Sequence, residues 1–324
     1  MPSFLPPMLA TPATSAPVGD DWCYEIKWDG VRAIVAVDAG TLTLTSRRGN
    51  DLTGRYPELE ALAAAATPPA LLDGEIVALD AQGRPSFERL QRRMHVRDTR
   101  TQARLAAEVP VALMVFDVLW LDGAPLLDRP YTERRAALES LALAGPNWQT
   151  PGSERSTSPR GRSLPAATRD LGLEGIVAKR ADSRYEPGRR SRAWLKVKHR
   201  ANQEFVVGGW LPGQGARRTT LGALLVGVYD DAGALHYAGR VGSGFSGAAL
   251  DRWTRELATR ALAVSPFTSD ALPADARFVR PELVVEVGFT EWTNEGRLRH
   301  PVLLGERDDL DPRTIRRERP IAAD

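Results

Sequence analysis

Cysteine, histidine and long apolar runs are all scarce in this 324-residue chain, and each scarcity excludes a class of protein. The single cysteine, Cys23, excludes an internal disulfide and a cysteine-rich zinc site. Because no run of about eighteen apolar residues exists, a membrane-spanning helix is excluded. The N-terminus lacks the basic-then-apolar pattern of a signal peptide, so we expect an intracellular protein. The histidines lie far apart and show no metal-ligand spacing: His95, His199, His236 and His300.

Lysine is also rare, and its rarity is informative. Of the 43 basic residues only four are lysines, namely Lys27, Lys179, Lys196 and Lys198. Arginine stays protonated under working conditions and is a poor nucleophile, whereas a buried or cation-crowded lysine can lose its proton and attack an electrophile. Since this chain uses arginine for general positive charge, the remaining lysines are candidates for chemistry.

The net charge of +2 hides an uneven distribution of charge along the chain. Residues 155–200 contain 13 basic and four acidic side chains, a net charge of +9, which leaves −7 for the rest. Such a basic block suits a polyanionic partner such as a phosphate chain, and it also fits a solubilising surface. The content of 43% hydrophobic and 26% charged residues is that of an ordinary globular protein.

Hydrophobic periodicity predicts a mixed chain with a boundary near residues 199–203. Beyond that boundary, about five strands and one helix at 246–262 are consistent with an OB-type barrel, and another small β-barrel fits nearly as well. Residues 145–165, rich in Gly, Pro, Ser and Arg, are predicted to form a long mobile loop. The predicted strands before the boundary are 22–28, 31–37, 41–46, 71–79, 111–121, 174–179 and 193–198. The predicted helices there are 56–66, 86–95 and 131–143. The predicted strands after it are 204–210, 221–229, 234–241, 283–292 and 298–304.

Six segments carry residue types suited to chemistry, and together they include every lysine. Taken singly, each also fits an ordinary role such as a strand-end ion pair, a polar turn, a core aromatic residue or a solvated strand face. The segments are Glu25-Ile26-Lys27-Trp28-Asp29-Gly30, Ser46-Arg47-Arg48-Gly49, Leu72-Asp73-Gly74-Glu75, Val115-Phe116-Asp117, Glu174-Gly175-Ile176-Val177-Ala178-Lys179-Arg180 and Trp194-Leu195-Lys196-Val197-Lys198.

The strand period of two residues groups several of these side chains. Lys196 and Lys198 share one strand face, so two like charges are held together and call for an anion between them. Asp73 and Glu75 flank a glycine inside an apolar strand, where an unpaired acid is costly. These acids are therefore expected to bind a metal ion, a sugar hydroxyl or a cation.

In their order and spacing the six segments resemble the nucleotidyltransferase motifs of ATP-dependent DNA ligases, in particular the bacterial ligase modules associated with end-joining repair. EIKWDG resembles motif I, SRRG motif Ia, LDGEIVALD motif III, VFDVLWLDG motif IIIa, EGIVAKR motif IV and WLKVK motif V. The resemblance covers most of residues 5–200 and continues through EVGFTEWTNEGRLRHPVLLGERDD. It implies an α+β fold, with an adenylation domain of antiparallel sheets and flanking helices over residues 1–200 and an OB-fold domain over residues 201–324.

The resemblance also implies roles for individual residues. Lys27 would be the nucleophile that attacks the α-phosphate of ATP, releases pyrophosphate and forms a lysyl-AMP phosphoramide. Lys196 and Lys198 would contact the α-phosphate and help to lower the pKa of Lys27. Glu25 would read the adenine amino group, and Phe116 would stack on the base.

Further roles concern the sugar, the phosphates and a metal. Arg32 and Glu75 would hold the ribose or its surroundings, and Arg47 and Arg190 would bind nucleotide or phosphate. Glu174, together with Glu75, would hold a divalent ion, with Mg²⁺ as the default and Mn²⁺ as the alternative.

One motif departs from the family pattern. The last motif usually reads Arg-x-Asp-Lys, whereas this chain has Arg307-Asp308-Asp309-Leu310. Arg307 and Asp309 remain candidate contacts of the pyrophosphate leaving group. Either the first step is weakened or Arg313 substitutes for the missing lysine, and both interpretations stay open.

The implied partners are ATP and nicked or broken duplex DNA, with a Ku-like end-binding protein as a further candidate and no membrane partner. A monomer in the cytoplasm, associated with the nucleoid, is expected. The alternatives are an RNA ligase, a GTP-using capping-type nucleotidyltransferase, or a catalytically inactive nucleic-acid-binding OB protein.

Overall fold

The chain forms two compact units, Met1–His199 with Arg319–Asp324, and Arg200–Glu318. The computed structural model describes residues 2, 4–66, 68–94, 96, 98–199, 201–213, 218–268 and 272–322. Both units are mixed α+β and are built mainly from antiparallel sheets. Within those ranges, no helix has the length and apolar character needed to cross a lipid bilayer.

The first unit combines two sheets with flanking helices. Its strands are β1 (Leu9–Pro12), β2 (Trp22–Lys27), β3 (Val31–Asp38), β4 (Thr41–Ser46), β5 (Ala70–Ala78), β6 (Val111–Leu121), β7 (Ala124–Pro125), β8 (Trp148–Gln149), β9 (Glu154–Arg155), β10 (Gly175–Arg180) and β11 (Arg190–Lys198). Its helices are α1 (Leu62–Ala65), α2 (Phe87–Met94), α3 (Thr99–Glu108), α4 (Tyr131–Ser140) and α5 (Pro159–Asp170), with a 3₁₀ turn at Pro57–Leu59.

The strand order brings distant parts of the chain together. One sheet runs β1-β11-β10-β2-β9, with β1 parallel to β11 and the other pairs antiparallel. The other runs β4-β3-β5-β6-β7, with β8 beside β6. Ile34 and Leu71 of the second sheet join Trp194 of the first in one buried cluster. The two sheets therefore face each other, and burial of each such large apolar side chain contributes ~2 kcal/mol.

The second unit is an OB-type domain, a curled antiparallel sheet with one long helix. The sheet order is β14-β13-β12-β16-β15, and β19 also pairs with β16. Its apolar core includes Phe205, Val226 and Trp253. Its elements are β12 (Asn202–Pro212), β13 (Leu221–Tyr229), β14 (Leu235–Val241), α6 (Gly247–Ala258), β15 (Ala261–Leu262), β16 (Arg277–Gly288), β17 (Glu291–Trp292), β18 (Leu298–Arg299) and β19 (Val302–Glu306), with a 3₁₀ turn at Pro312–Thr314.

The strongest periodic segments were predicted well. The predicted strand at 111–121 is β6, and those at 41–46 and 221–229 are β4 and β13. The predicted helix at 56–66 is instead broken into a 3₁₀ turn and the short α1. Helix α3 was not predicted, although Asp98 caps it by accepting a hydrogen bond from the Thr101 amide.

The predicted mobile loop at 145–165 was wrong. This stretch contains β8, β9 and the first half of α5. Ser158 caps α5 by accepting a hydrogen bond from the Gly161 amide, and Pro159 begins it, where the missing amide hydrogen costs nothing. Arg155 pairs with Cys23 of β2, so the loop composition was overridden by a strand partner distant in sequence.

Candidate active site

Three neighbouring strands place the lysine-bearing segments side by side. The central strand β10 pairs in register with β2 and with β11, so that Lys27, Gly175 and Lys198 form one row across the sheet. Residues in register point to the same face of a sheet, so the two lysines lie on one face. A Cβ atom on Gly175 would lie 2.0 Å from the carbonyl oxygen of Val197, so only glycine fits the centre of this row.

Two further rows follow on the same face, because side chains two residues apart along a strand point the same way. The second row contains Glu25, Val177 and Lys196. In the third row Lys179 lies directly opposite Trp194. The segments resembling motifs I, IV and V therefore share one surface of one sheet.

The carboxylate of Glu174 bridges two of the lysines. The Lys27 amine donates a hydrogen bond to Oε2 of Glu174, and Nζ of Lys198 lies 3.4 Å from Oε1. Only 9% of the Glu174 side chain and 21% of the Lys27 side chain are exposed. The resting site is thus a nearly closed cation–anion–cation arrangement.

This arrangement reverses the predicted effect on Lys27. Burial lowers the pKa of Lys27 and so does the charge of Lys198, but the Glu174 carboxylate outweighs both and leaves the pKa above its ordinary value. Burial likewise raises the pKa of Glu174, yet the charges of Lys27 and Lys198 bring it down to about 2. Lys198 therefore acts in the predicted direction, but the sequence analysis did not include Glu174, whose charge and hydrogen bond leave the net pKa of Lys27 raised in this resting state.

Glu25 is more deeply buried, with 4% exposure. Its Oε2 lies 2.8 Å from Nζ of Lys179, and its Oε1 accepts a hydrogen bond from the hydroxyl of Tyr131. Arg135 adds a second positive charge 3.6 Å from Oε1. The buried carboxylate is therefore held from both sides.

Phe116 lies at an irregularity of β6. Gly74 pairs with Val115 and Asp73 with Asp117, so the register shifts at Phe116 and this residue has no opposite partner in β5. Such β-bulges redirect a side chain at functional sites. The Arg32 guanidinium carbon lies 4.5 Å from the centroid of the Phe116 ring, which places a cation beside the aromatic residue.

Arg32 is fixed by a paired contact to Asp73. The guanidinium donates to both carboxylate oxygens at 2.5 and 2.6 Å, and Asp73 is fully buried. The Tyr185 hydroxyl donates to the same carboxylate at 2.6 Å. The expectation that this acid needs a metal, a sugar hydroxyl or a cation is met by a cation, Arg32.

The remaining predicted residues lie around this centre. Glu75 pairs in register with Arg32, across β5 and β3. Arg47 is half-buried in the turn after β4, and Lys196 is half-buried on β11. Arg190 is exposed at the start of β11 and donates to the Ala10 carbonyl oxygen at 2.6 Å.

The last motif lies in the second unit, where its arginine is paired with two acids. Arg307 donates to Asp309 at 2.8 and 2.9 Å and to Glu286 at 3.3 Å. Leu310 is 3% exposed and belongs to the apolar core of that unit. The position at which the family usually has lysine is therefore a packing position here, whereas Arg313 is exposed.

Sequence reasoning missed several members of the buried network. Tyr131 and Tyr185 received no role, and Lys179 was marked by the scarcity of lysine and by its motif but received no defined role. Tyr131 begins a helix, and its hydrogen-bond partner Glu25 lies more than 100 residues away in the sequence. No local pattern indicates such a distant partner. The scarcity of lysine did mark Lys179 as a candidate, but it gave no information about its partners.

The donor set constrains any metal at this site. Among the described residues, no group of three or more His, Cys, Asp or Glu side chains is arranged to hold a metal ion. Mg²⁺ commonly binds through one or two carboxylates, with water and substrate phosphates completing its shell. A metal held by Glu174 and Glu75 would therefore need further ligands from water and substrate.

Two family models match this chain. "ATP dependent DNA ligase domain" matches residues 7–198, and "ATP dependent DNA ligase C terminal region" matches residues 217–310. The first match includes all the predicted site residues of the first unit, and the second match includes the last motif.

Similar proteins point the same way. The multifunctional non-homologous end joining DNA repair protein LigD of Mycobacterium tuberculosis is 43% identical over 97% of this chain, and LigD of Pseudomonas aeruginosa is 37% identical over 99%. The chain spans only 40% and 37% of the lengths of those proteins. A solved structure of mycobacterial DNA ligase D complexed with ATP and MES superposes with a TM-score of 0.68 at 41% identity, covering 97% of this chain and 98% of the other. This chain therefore belongs to the family of ATP-dependent DNA ligases.

Proposed function

We propose that this chain seals nicks in duplex DNA between a 5′-phosphate and a 3′-hydroxyl, through a covalent lysyl-AMP and an adenylated DNA intermediate. One observation carries the proposal. The Lys27 amine lies in a row with Lys198 and shares a carboxylate with it, on the same sheet face as the buried Glu25. In this arrangement one bound nucleotide would meet Lys27 and Lys198 at its phosphates and Glu25 at its base.

In the first step the neutral Lys27 amine attacks the α-phosphate of ATP. The bond between Nζ and phosphorus forms, the bond to the bridging oxygen breaks, and pyrophosphate leaves. Since Glu174 keeps Lys27 protonated at rest, the ammonium group has to release one proton to solvent and its hydrogen bond to Glu174 has to loosen before attack. A second proton leaves the nitrogen for solvent as the phosphoramide forms. Lys198 and Lys196 would then face the α-phosphate and stabilise the charge that develops on its oxygens.

The base and sugar would be held by the deeper residues. Glu25 would accept a hydrogen bond from the amino group of adenine, and the Phe116 ring would stack on the base. Arg32, held by Asp73, and its neighbour Glu75 would contact the ribose or its surroundings. Arg47 and Arg190 are the proposed phosphate contacts at the periphery, and Arg307 with Asp309 would contact the leaving group.

A divalent ion, Mg²⁺ or Mn²⁺, would be held by Glu174 and Glu75 together with phosphate oxygens. When bound, such an ion supplies positive charge against the charge that develops on the triphosphate. Glu174 would then exchange its lysine partners for this ligand, which suits a carboxylate that is already fully ionised.

The later steps transfer AMP to DNA and then release it. The 5′-phosphate at the nick attacks the lysyl-AMP, Lys27 leaves as the amine, and the 3′-hydroxyl then attacks the adenylated phosphate and expels AMP. Contacts to the DNA backbone are sequence-independent, and the basic block of residues 155–200 suits them. By analogy with the relatives named for end joining, we place the reaction in double-strand break repair, with a Ku-like protein as partner.

The test is intact mass measurement after incubation with ATP and Mg²⁺, followed by a sealing assay on nicked duplex DNA. We expect one added AMP on the wild type and none on Lys27→Arg. The matched control is the reverse exchange at an exposed site, Arg129→Lys, where 64% of the side chain is exposed, and it should behave like the wild type. A wild-type protein that never gains AMP, with either Mg²⁺ or Mn²⁺, would refute the proposal.

A further inference from the structure

Lys179 is the one lysine to which the proposed reaction gives no role. It is 1% exposed, and its Nζ lies among three aromatic rings, 4.3 Å from the centroid of Trp194, 4.8 Å from Phe116 and 4.9 Å from Tyr131. Aromatic faces attract a cation, most strongly where water is excluded. Burying an ammonium group costs free energy, so the groups that contact the Lys179 amine indicate its role.

The Lys179 amine contacts both residues that are proposed to recognise the base. It lies 2.8 Å from Oε2 of Glu25 and donates to the backbone carbonyl of Phe116 at 3.2 Å. Because Phe116 sits at a bulge without a partner in β5, this hydrogen bond replaces a contact that a regular strand would supply. One ammonium group therefore ties the carboxylate and the aromatic ring to each other.

Tyr131 holds the other oxygen of Glu25. Burial, and then the charge of Glu25, raise the pKa of the Tyr131 hydroxyl well above its ordinary value, so the hydroxyl keeps its proton and donates it to Glu25. Since that proton is used, the Ser153 hydroxyl donates to Tyr131 at 2.8 Å. The carboxylate is thus restrained from both sides and remains an acceptor.

The two purines differ at the atom that such a carboxylate meets. Adenine presents an exocyclic amino donor, whereas guanine presents a carbonyl acceptor in the equivalent position. A rigid carboxylate acceptor binds the first and repels the second, and a site built for a hydrogen bond discriminates strongly against a ligand that cannot make it. A mobile carboxylate could turn away from guanine and lose this selectivity.

We propose that Lys179 is a positioning residue that fixes Glu25 and Phe116 in the geometry by which this site selects adenine over guanine nucleotides. The inference rests on the proposed function. Lys179 acts only through its neighbours and does not touch the reacting phosphate.

The experiment compares lysyl-nucleotide formation from ATP and from GTP by intact mass, over a range of nucleotide concentrations. We expect Lys179→Met to raise the KM for ATP at least tenfold with a much smaller change in kcat, and to lower the ATP-over-GTP preference at least tenfold. Tyr131→Phe should change the KM for ATP and the ATP-over-GTP preference in the same direction by a smaller factor, and it keeps an aromatic ring beside Lys179. The matched control is Arg129→Met, at an exposed cation.

A second measurement separates this inference from the proposed reaction. Equilibrium binding of ATP and GTP is measured on Lys27→Arg and on the double variant that also carries Tyr131→Phe. Because both lack the proposed nucleophile, no covalent step accompanies binding. Loss of ATP selectivity in binding supports the inference even if the wild type fails to transfer AMP. An ATP-over-GTP ratio that stays at the wild-type value in folded Tyr131→Phe, or a proportional loss for both nucleotides, overturns it, whether or not Lys179→Met folds.

Discussion

Replacing Glu174 by glutamine should make the Lys27 amine more reactive toward an electrophile. The change removes the negative charge shared by Lys27 and Lys198. At an effective dielectric constant of about 20, a charge pair at the 3.4 Å separation of Lys198 and Glu174 is worth ~5 kcal/mol. Water screens the charge pair of Lys27 and Glu174, because 21% of the Lys27 side chain is exposed. We therefore take about one third of that energy, ~1.5 kcal/mol, as the stabilisation of the charged Lys27 amine by Glu174. That energy corresponds to an increase of about tenfold in the neutral amine at a given pH below its pKa.

The assay is competitive labelling with an amine-acylating reagent, read by peptide mass spectrometry. With only four lysines in the chain, each site is resolved separately. Lys27 should be labelled about tenfold faster in Glu174→Gln, while Lys179, 1% exposed, stays protected and reports an intact fold. Glu133→Gln removes an acid that is 57% exposed and should leave Lys27 unchanged. Equal labelling of Lys27 in the wild type and in folded Glu174→Gln would refute the assignment of Glu174 as the group that keeps this amine protonated.

Three further outcomes are expected. The pKa of Glu174 is lowered from 4.5 to about 2 in the folded state, so its ionised carboxylate stabilises the folded protein by up to ~3 kcal/mol. This stabilisation is present above pH 4.5 and is lost as the pH falls through about 2, and acid unfolding of Glu174→Gln should lack it. Leu310→Lys, which restores the usual family residue, should lower the melting temperature by several degrees, because it buries an ammonium group in an apolar core, and an unchanged melting temperature would contradict the packing role. Gly175→Ala should reduce both stability and AMP transfer, measured by denaturant unfolding and intact mass, since its Cβ would overlap the Val197 carbonyl; wild-type behaviour would show that the row tolerates a side chain.

The sequence predicted the parts of the site in which both residues lie on the same strand. The spacing of two residues from Glu25 to Lys27, and from Lys196 to Lys198, is enough to put each pair on one face. The register between strands, which sets Lys27 level with Lys198, depends on pairing across more than 100 residues, and periodicity does not encode it. The resemblance to known motifs supplied that missing step.

What failed to be predicted depended on partners that are distant in sequence. The raised pKa of Lys27 follows from the position of Glu174, just before β10, and not from its lysine neighbours. The stretch at 145–165 has the composition of a loop, yet a cap at Ser158 and a strand partner at Cys23 give it structure. In both cases a single tertiary contact outweighed the local signal.

The spacing of the three rows in the first sheet also fixes a distance across the site. Each row lies ~6.6 Å from the next, since a strand rises ~3.3 Å per residue. The amine of Lys27 starts in the first row and the carboxylate of Glu25 in the second, so the backbone sets how far apart the two ends of a bound ligand can be. Inserting two residues between them in β2 would preserve both side chains and their direction, yet the contact to the base and the contact to the phosphate would no longer match one nucleotide.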